Sequence, residues 1–194
     1  MAENFDACLA VTLAYEGDWS DNPADPGGAT MDGITYAVFC AWRASRHLPK
    51  PGLTDLRNIA HTEVANIYAD RYWAPIRGAD LPAGVDLAVF DFAVNSGVHR
   101  ASVILQQCAG LTGEDVDGII GDETLWFVSQ ADSADLVAAI CDQRMRFLQS
   151  LGTWPDFGDG WTRRVDGVRQ TAAGMCVQPS PPWLGETLLS GGRA

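Results

Sequence analysis

The segment Glu16-Gly17-Asp18-Trp19-Ser20-Asp21-Asn22-Pro23-Ala24-Asp25-Pro26-Gly27-Gly28-Ala29-Thr30 gathers several carboxyl groups and a threonine hydroxyl within one short stretch. Hydrolysing a glycosidic bond needs one carboxyl group that keeps its proton for the leaving oxygen. It also needs a second, ionised group that activates water or attacks the sugar. Glu16 closes an apolar stripe of Phe5, Cys8, Leu9, Thr12 and Leu13 at helical spacing, with Gly17 where a helix C-cap would stand. A carboxyl group at the end of a buried stripe loses hydration, and desolvation favours the protonated form that a general acid needs. Asp25, between Ala24 and Pro26, falls in a better solvated loop, so two acids in unlike surroundings could divide the acid and base roles. Thr30 could hold the attacking water with Asp25 as its base or orienter, an inverting arrangement in which the carboxyl groups stand about 6.5–9.5 Å apart. Asp21 and Thr35 are the substitutes for Asp25 and Thr30. The same residue types also fit plain structural chemistry, because Asp before Pro or Gly starts turns and Glu before Gly often ends a helix.

The elements that must hold this segment read as mostly helical. Pro23, Pro26, Gly27, Gly28 and Gly33 exclude a helix after Glu16 and lead into an extended piece around Gly33-Ile34-Thr35-Tyr36, at most a hairpin. Apolar residues at helical spacing predict further helices over 36–45, 54–72, 85–94, 101–109, 134–151 and 161–175. Asp117-Gly118 and Gly121 predict a tight turn before a helix start at 122–124. The 85–94 helix is almost wholly apolar apart from Asp86 and Asp91, which marks it as the most buried. Asp91 and Asn95 lie one turn apart on it, where they either line a cleft or satisfy buried backbone. Trp154, Phe157 and Trp161 crowd a Gly-rich loop and either pack against the stems of Arg163 and Arg164 or stack on sugar faces.

With 194 residues and 47% apolar content, the chain can bury a sizeable core as one domain. A formal charge of -12 argues against nucleic acid as a partner, since neutralising phosphates needs clustered Lys and Arg. No apolar run approaches the roughly 18–20 residues of a membrane span, and the N-terminus lacks the basic start of a secretory signal. The expectation is therefore a chain that is cytoplasmic on synthesis, with no stable membrane insertion. The five cysteines, Cys8, Cys40, Cys108, Cys141 and Cys176, are scattered among apolar neighbours and read as reduced thiols. His61-Thr62-Glu63 lacks the Pro-Cys-x-x-Cys half of a zinc deaminase motif, so no metal is expected.

Tyr15-Glu16-Gly17-Asp18-Trp19 and Asn22-Pro23-Ala24-Asp25-Pro26-Gly27-Gly28-Ala29-Thr30-Met31-Asp32-Gly33-Ile34-Thr35 resemble the signature of glycoside hydrolase family 108. Those proteins are N-acetylmuramidases found as phage endolysins and related bacterial lysozymes. This chain has Asp18 where the family usually has a second Gly, Trp19 for the aromatic, and Met31-Asp32 for Asn-Tyr. The resemblance continues at 90–97, 116–121, 151–154 and 157–165, which are similar to the peptidoglycan-binding region that accompanies the muramidase part.

The resemblance implies a mainly α, lysozyme-like fold, a helical bundle with one small β-hairpin or extended patch near the active loop. We expect a single domain over 1–177, with a catalytic lobe over 1–83, a helical lobe over 84–177 and a Pro/Gly-rich tail over 178–194. It implies Glu16, Asp25 and Thr30 as catalytic residues, Trp19, Asp91 and Asn95 against the substrate, and no cofactor. The implied activity is cleavage of the β-1,4 bond between N-acetylmuramic acid and N-acetylglucosamine by a monomeric endolysin that reaches the wall through a holin or another export route. A non-catalytic wall-binding or secretion-accessory module and a lytic transglycosylase are the alternatives.

Overall fold

The computed structural model describes residues 2–21 and 28–176, so the expected tail over 178–194 lies outside the described residues. The fold is mainly helical and lysozyme-like, with one small two-stranded sheet. The first stripe forms α1 (Ala2–Leu13), which buries Cys8, Leu9 and Thr12. The helix ends three residues short of Glu16. Tyr15 N–H donates to the Thr12 carbonyl at 3.0 Å and Glu16 N–H to that of Leu13 at 3.1 Å, the tightened last turn that satisfies orphan carbonyls.

The breaker-rich segment leads into an antiparallel hairpin, β1 (Thr30–Met31) and β2 (Ile34–Thr35), with Thr30 opposite Thr35 and Met31 opposite Ile34. Its turn residues, Asp32 at φ 49° and Gly33 at φ 72°, are both left-handed, as a type I′ hairpin turn requires. Ser20 pairs with Thr30 through two backbone hydrogen bonds of 2.9 and 2.8 Å, which ties the chain after Glu16 to the hairpin.

Thr35 caps α2 (Tyr36–Ser45), its hydroxyl accepting from Val38 N–H at 3.3 Å. The helix expected over 54–72 is two elements, α3 (Leu53–Arg57) and α4 (His61–Tyr68), and the second continues as a π turn over Ala69–Trp73. Asn58 causes the break: its side-chain amide donates to the Thr54 carbonyl at 2.9 Å and so satisfies the end of α3.

The apolar run forms α5 (Val85–Ser96), buried continuously from Val85 to Ala93. Asp86 is tolerated there because it accepts from the backbone of Gly84 and Leu87 and from Asn4, although burial still raises its carboxyl above the ordinary range. Around α5 pack α1, α6 (Val98–Ala109), α8 (Ser133–Gln149) and α9 (Trp154–Cys176), while α7 (Asp122–Gln130) lies against α6. One continuous cluster of buried side chains runs from Cys8 and Leu9 of α1 to Val165, Val168 and Ala172 of α9.

The last helix corrects the expectation of a Gly-rich loop over 154–161, because α9 begins at Trp154. Its glycines cost roughly 1 kcal/mol each in helix propensity relative to Ala. Two of them serve close approach. A Cβ at Gly158 would fall 2.7 Å from the Trp154 ring, and one at Gly167 would fall 2.0 Å from the Tyr15 hydroxyl. Among the described residues no helix is long and apolar enough to cross a membrane.

Candidate active site

Glu16 lies where the end of α1, the hairpin turn and α9 meet. Its Oε1 accepts from Arg164 Nη1 at 2.8 Å. Its Oε2 faces the hairpin turn so closely that a Cβ on Gly33 would stand 2.8 Å away. Tyr68, at the end of α4, fixes that turn by donating its hydroxyl to the Asp32 carbonyl at 2.8 Å. Burial, and after it the charge of Glu16, pushes the Tyr68 phenol up, so it remains a neutral donor.

Behind Glu16 runs a relay of alternating charge. Arg164 donates Nη2 to Asp91 Oδ1 at 2.8 Å and Nε to Oδ2 at 3.0 Å, and Arg144 Nη1 from α8 donates to Asp91 Oδ2 at 2.6 Å. Side-chain exposure falls inward, from 19% at Glu16 and 9% at Arg164 to 1% at Arg144 and 0% at Asp91. Two carboxylates and two guanidiniums balance, which is how a protein can keep such charges out of water. Burial pushes the Asp91 carboxyl up, but Arg144 and Arg164 outweigh it and hold the group below the usual carboxylate range.

The expected site residues therefore separate. Asp91 is fully enclosed and spends its oxygens on the two arginines, so it supports Glu16 through Arg164 and does not line the cleft. Asn95, one turn further along α5, does reach a cleft. With Tyr15, Phe157, Gly160, Trp161 and Arg164 it lines a hollow of about 270 Å³. A larger hollow of about 460 Å³ on α2 is lined by Ala37, Cys40, Ala41, Ala44, Leu48 and Lys50, and it holds no carboxyl group for acid-base chemistry.

Thr30 is half-buried in β1 and donates its hydroxyl to the Gly28 carbonyl at 3.0 Å. Thr35 caps α2, its hydroxyl accepting from Val38 N–H while keeping its own O–H to donate. Asp21 is exposed, and Asp25 lies outside the described residues. Trp19 packs beneath the guanidinium of Arg57, 5.6 Å from its ring centre, and is not among the residues lining the hollow beside Arg164.

Three contributors escaped the sequence reading. Arg164 and Tyr68 reach the site from distant elements, and no local pattern marks them. Asp32 left a readable signal, since Asp-Gly between short extended pieces is the dipeptide of a type I′ turn. Burial, and then the nearby charge of Asp18, raises the Asp32 carboxyl above its ordinary value.

Gly33 offers a direct test of this packing. A methyl group there would press on Glu16 Oε2 and on the Tyr68 hydroxyl, only 2.7 Å from the Cβ position, at a φ of 72° that L residues rarely adopt. On the expectation that Glu16 is a catalytic acid, Gly33→Ala slows glycan cleavage by up to about a hundredfold, the scale of a misplacement of about 1 Å at a catalytic group. Circular dichroism should show the helical content unchanged. Wild-type rates in this variant would mean that the hairpin turn does not position Glu16.

Residues 9–97 match the family described as glycosyl hydrolase 108, and residues 100–166 match a predicted peptidoglycan domain. The Arg164–Glu16 and Arg164–Asp91 contacts thus join the two matched regions. A solved structure, that of Brucella abortus SagA, is similar at 37% sequence identity with a TM-score of 0.78, over 92% of this chain and 99% of that one. No curated protein matches the chain. The agreement of both regions with the near full-length structural match places the chain in the glycosyl hydrolase 108 family, as a glycosidase directed at peptidoglycan.

Proposed function

We propose that the protein is an N-acetylmuramidase that hydrolyses the β-1,4 bond between N-acetylmuramic acid and N-acetylglucosamine, with Glu16 as the general acid. The observation that carries this reading is the placement of Glu16 between the hairpin turn and Arg164, beside a cleft. Arg164 occupies Oε1, so Oε2 is the oxygen that takes up a proton when bound glycan excludes water from it and then delivers that proton to the leaving sugar. As the proton departs, negative charge grows on a carboxylate already held by a guanidinium, and that interaction strengthens in the transition state. Asp25 and Thr30 position the attacking water in this reading, roles that rest on the family resemblance.

The chain acts as one folding unit, because Arg144 and Arg164 from the peptidoglycan-domain match complete the surroundings of Glu16. A role as a monomeric phage endolysin, acting on the wall after release through a holin or another export route, fits this activity.

Mass spectrometry of digested sacculi tests the bond cleaved. Reducing N-acetylmuramic ends are the expected product. Anhydromuramic ends would make the enzyme a lytic transglycosylase, reducing N-acetylglucosamine ends would move the cut to the other glycosidic bond, and intact strands recovered with bound protein would leave a wall-binding module.

A further inference from the structure

Phe157 is a large apolar side chain left 55% exposed on α9, one turn from Trp161 and directly above the core-facing stripe of that helix. Its ring centre lies 5.7 Å from that of Trp161, with 34° between the planes, and Trp161 in turn lies 6.2 Å from Trp154 at 44°. The inner rings are therefore held by neighbours, while Phe157 offers a face to solvent at the edge of the hollow it lines with Trp161. Tyr15 and Asn95 also line that hollow. Tyr15 is fixed in place: its hydroxyl rests against Gly167, and the Arg164 guanidinium lies 5.5 Å from its ring centre.

The lining combines three aromatic side chains, Tyr15, Phe157 and Trp161, with the Asn95 amide and the Arg164 guanidinium. Pyranose rings have apolar C–H faces and polar edges. Such a ring gains by lying against an aromatic side chain while its hydroxyl and N-acetyl groups meet donors and acceptors, and the Asn95 amide supplies both kinds. The hollow also shares Arg164 with Glu16, so a ring bound there sits next to the acid on the α9 side.

We propose that Tyr15, Asn95, Phe157 and Trp161 form a subsite for one N-acetylated sugar ring of the glycan strand, adjacent to the bond that Glu16 cleaves. This assignment rests on the reading of Glu16 as the catalytic acid of a glycan hydrolase. It gives the Trp154, Phe157 and Trp161 cluster a division of labour, with Trp154 backing Trp161 while Phe157 and Trp161 face the sugar. It also makes the peptidoglycan-domain match part of the cutting site, since Phe157, Trp161 and Arg164 all belong to it.

The test uses the full chain and sacculi stripped of stem peptides by an amidase, so that only glycan strands are offered. In a Glu16→Gln background, co-sedimentation is expected to weaken roughly tenfold on Phe157→Ala and to recover with Phe157→Trp, the loss anticipated for one aromatic contact. In the otherwise wild-type enzyme, Phe157→Ala should raise KM by a similar factor with a much smaller change in kcat. The exposed position predicts an unchanged melting temperature for this variant, so a binding loss would not reflect unfolding. Affinity and KM within about twofold of the parent would overturn the subsite.

Failure of the acid assignment shows separately. It would appear as lysis by Glu16→Gln itself, whereas loss of strand binding on Phe157→Ala would still support the sugar subsite.

Discussion

Glu16→Gln is expected to reduce wall lysis by a factor of about 10³ or more while leaving the fold intact, at the upper end of what a positioned general acid contributes. Glutamine keeps the shape of glutamate and retains a carbonyl oxygen that can accept from Arg164 Nη1 in place of Oε1. It cannot release a proton to a leaving sugar. Arg164 does not lose its main anchor, because Nε and Nη2 remain on Asp91. The variant does leave the relay one negative charge short, and with Glu16 19% exposed in a pair with Arg164 the cost to stability should be about 1 kcal/mol. Turbidity clearing of outer-membrane-stripped cells, beside a thermal melt, reads both quantities. A variant that clears cells at the wild-type rate would remove Glu16 from the chemistry, while one that melts far below the wild type would make its role structural.

The residues around Glu16 show how far the sequence can be read and where it stops being readable. Helical spacing of Cys8, Leu9 and Thr12 predicts the buried face of α1, and the apolar run predicts α5, because burial by one face is written in local periodicity. Depth along a face is not. Asp91 and Asn95 share one side of α5 in sequence, yet the first is sealed behind two arginines and the second opens onto the cleft. Arg164 is 148 positions from Glu16, and only the packing of α9 onto α5, which also carries α1, brings them together. In α9 the glycines concealed a legible signal. Trp154, Phe157, Trp161, Val165, Val168 and Ala172 keep helical spacing, but Gly158 and Gly160 suggested a loop. Gly158 is explained by a ring packed where its side chain would be, a constraint visible only in three dimensions.

Asp91→Ala is expected to be the most destabilising single substitution in the relay. Removing one partner of a buried ion pair typically costs about 3–5 kcal/mol, because the remaining charge stays out of water without compensation. Here two guanidiniums, 1% and 9% exposed, would lose a shared carboxylate. For a chain of this length such a loss corresponds to a fall in Tm of roughly 6–20 °C. Arg164 would also lose the anchor that orients it toward Glu16, so activity should fall even at temperatures where the variant is folded.

The acid limb of the stability profile gives an independent reading of the same contacts. Because the arginines depress the folded-state pKa of Asp91, its contribution is present above the unfolded-state value of about 3.9 and fades as pH falls through the lower folded value. Wild-type stability should therefore drop below about pH 4 more steeply than that of Asp91→Asn, which has no proton to take up. If the relay works by charge balance, removing Arg144 as well should help. Asp91→Ala with Arg144→Met is then expected to melt above Asp91→Ala alone, since one buried charge without a partner is gone. Additive losses in that double variant would mean that Asp91 and Arg144 act through packing and not through each other, and the link from α8 through Asp91 and Arg164 to Glu16 would be broken at its innermost contact.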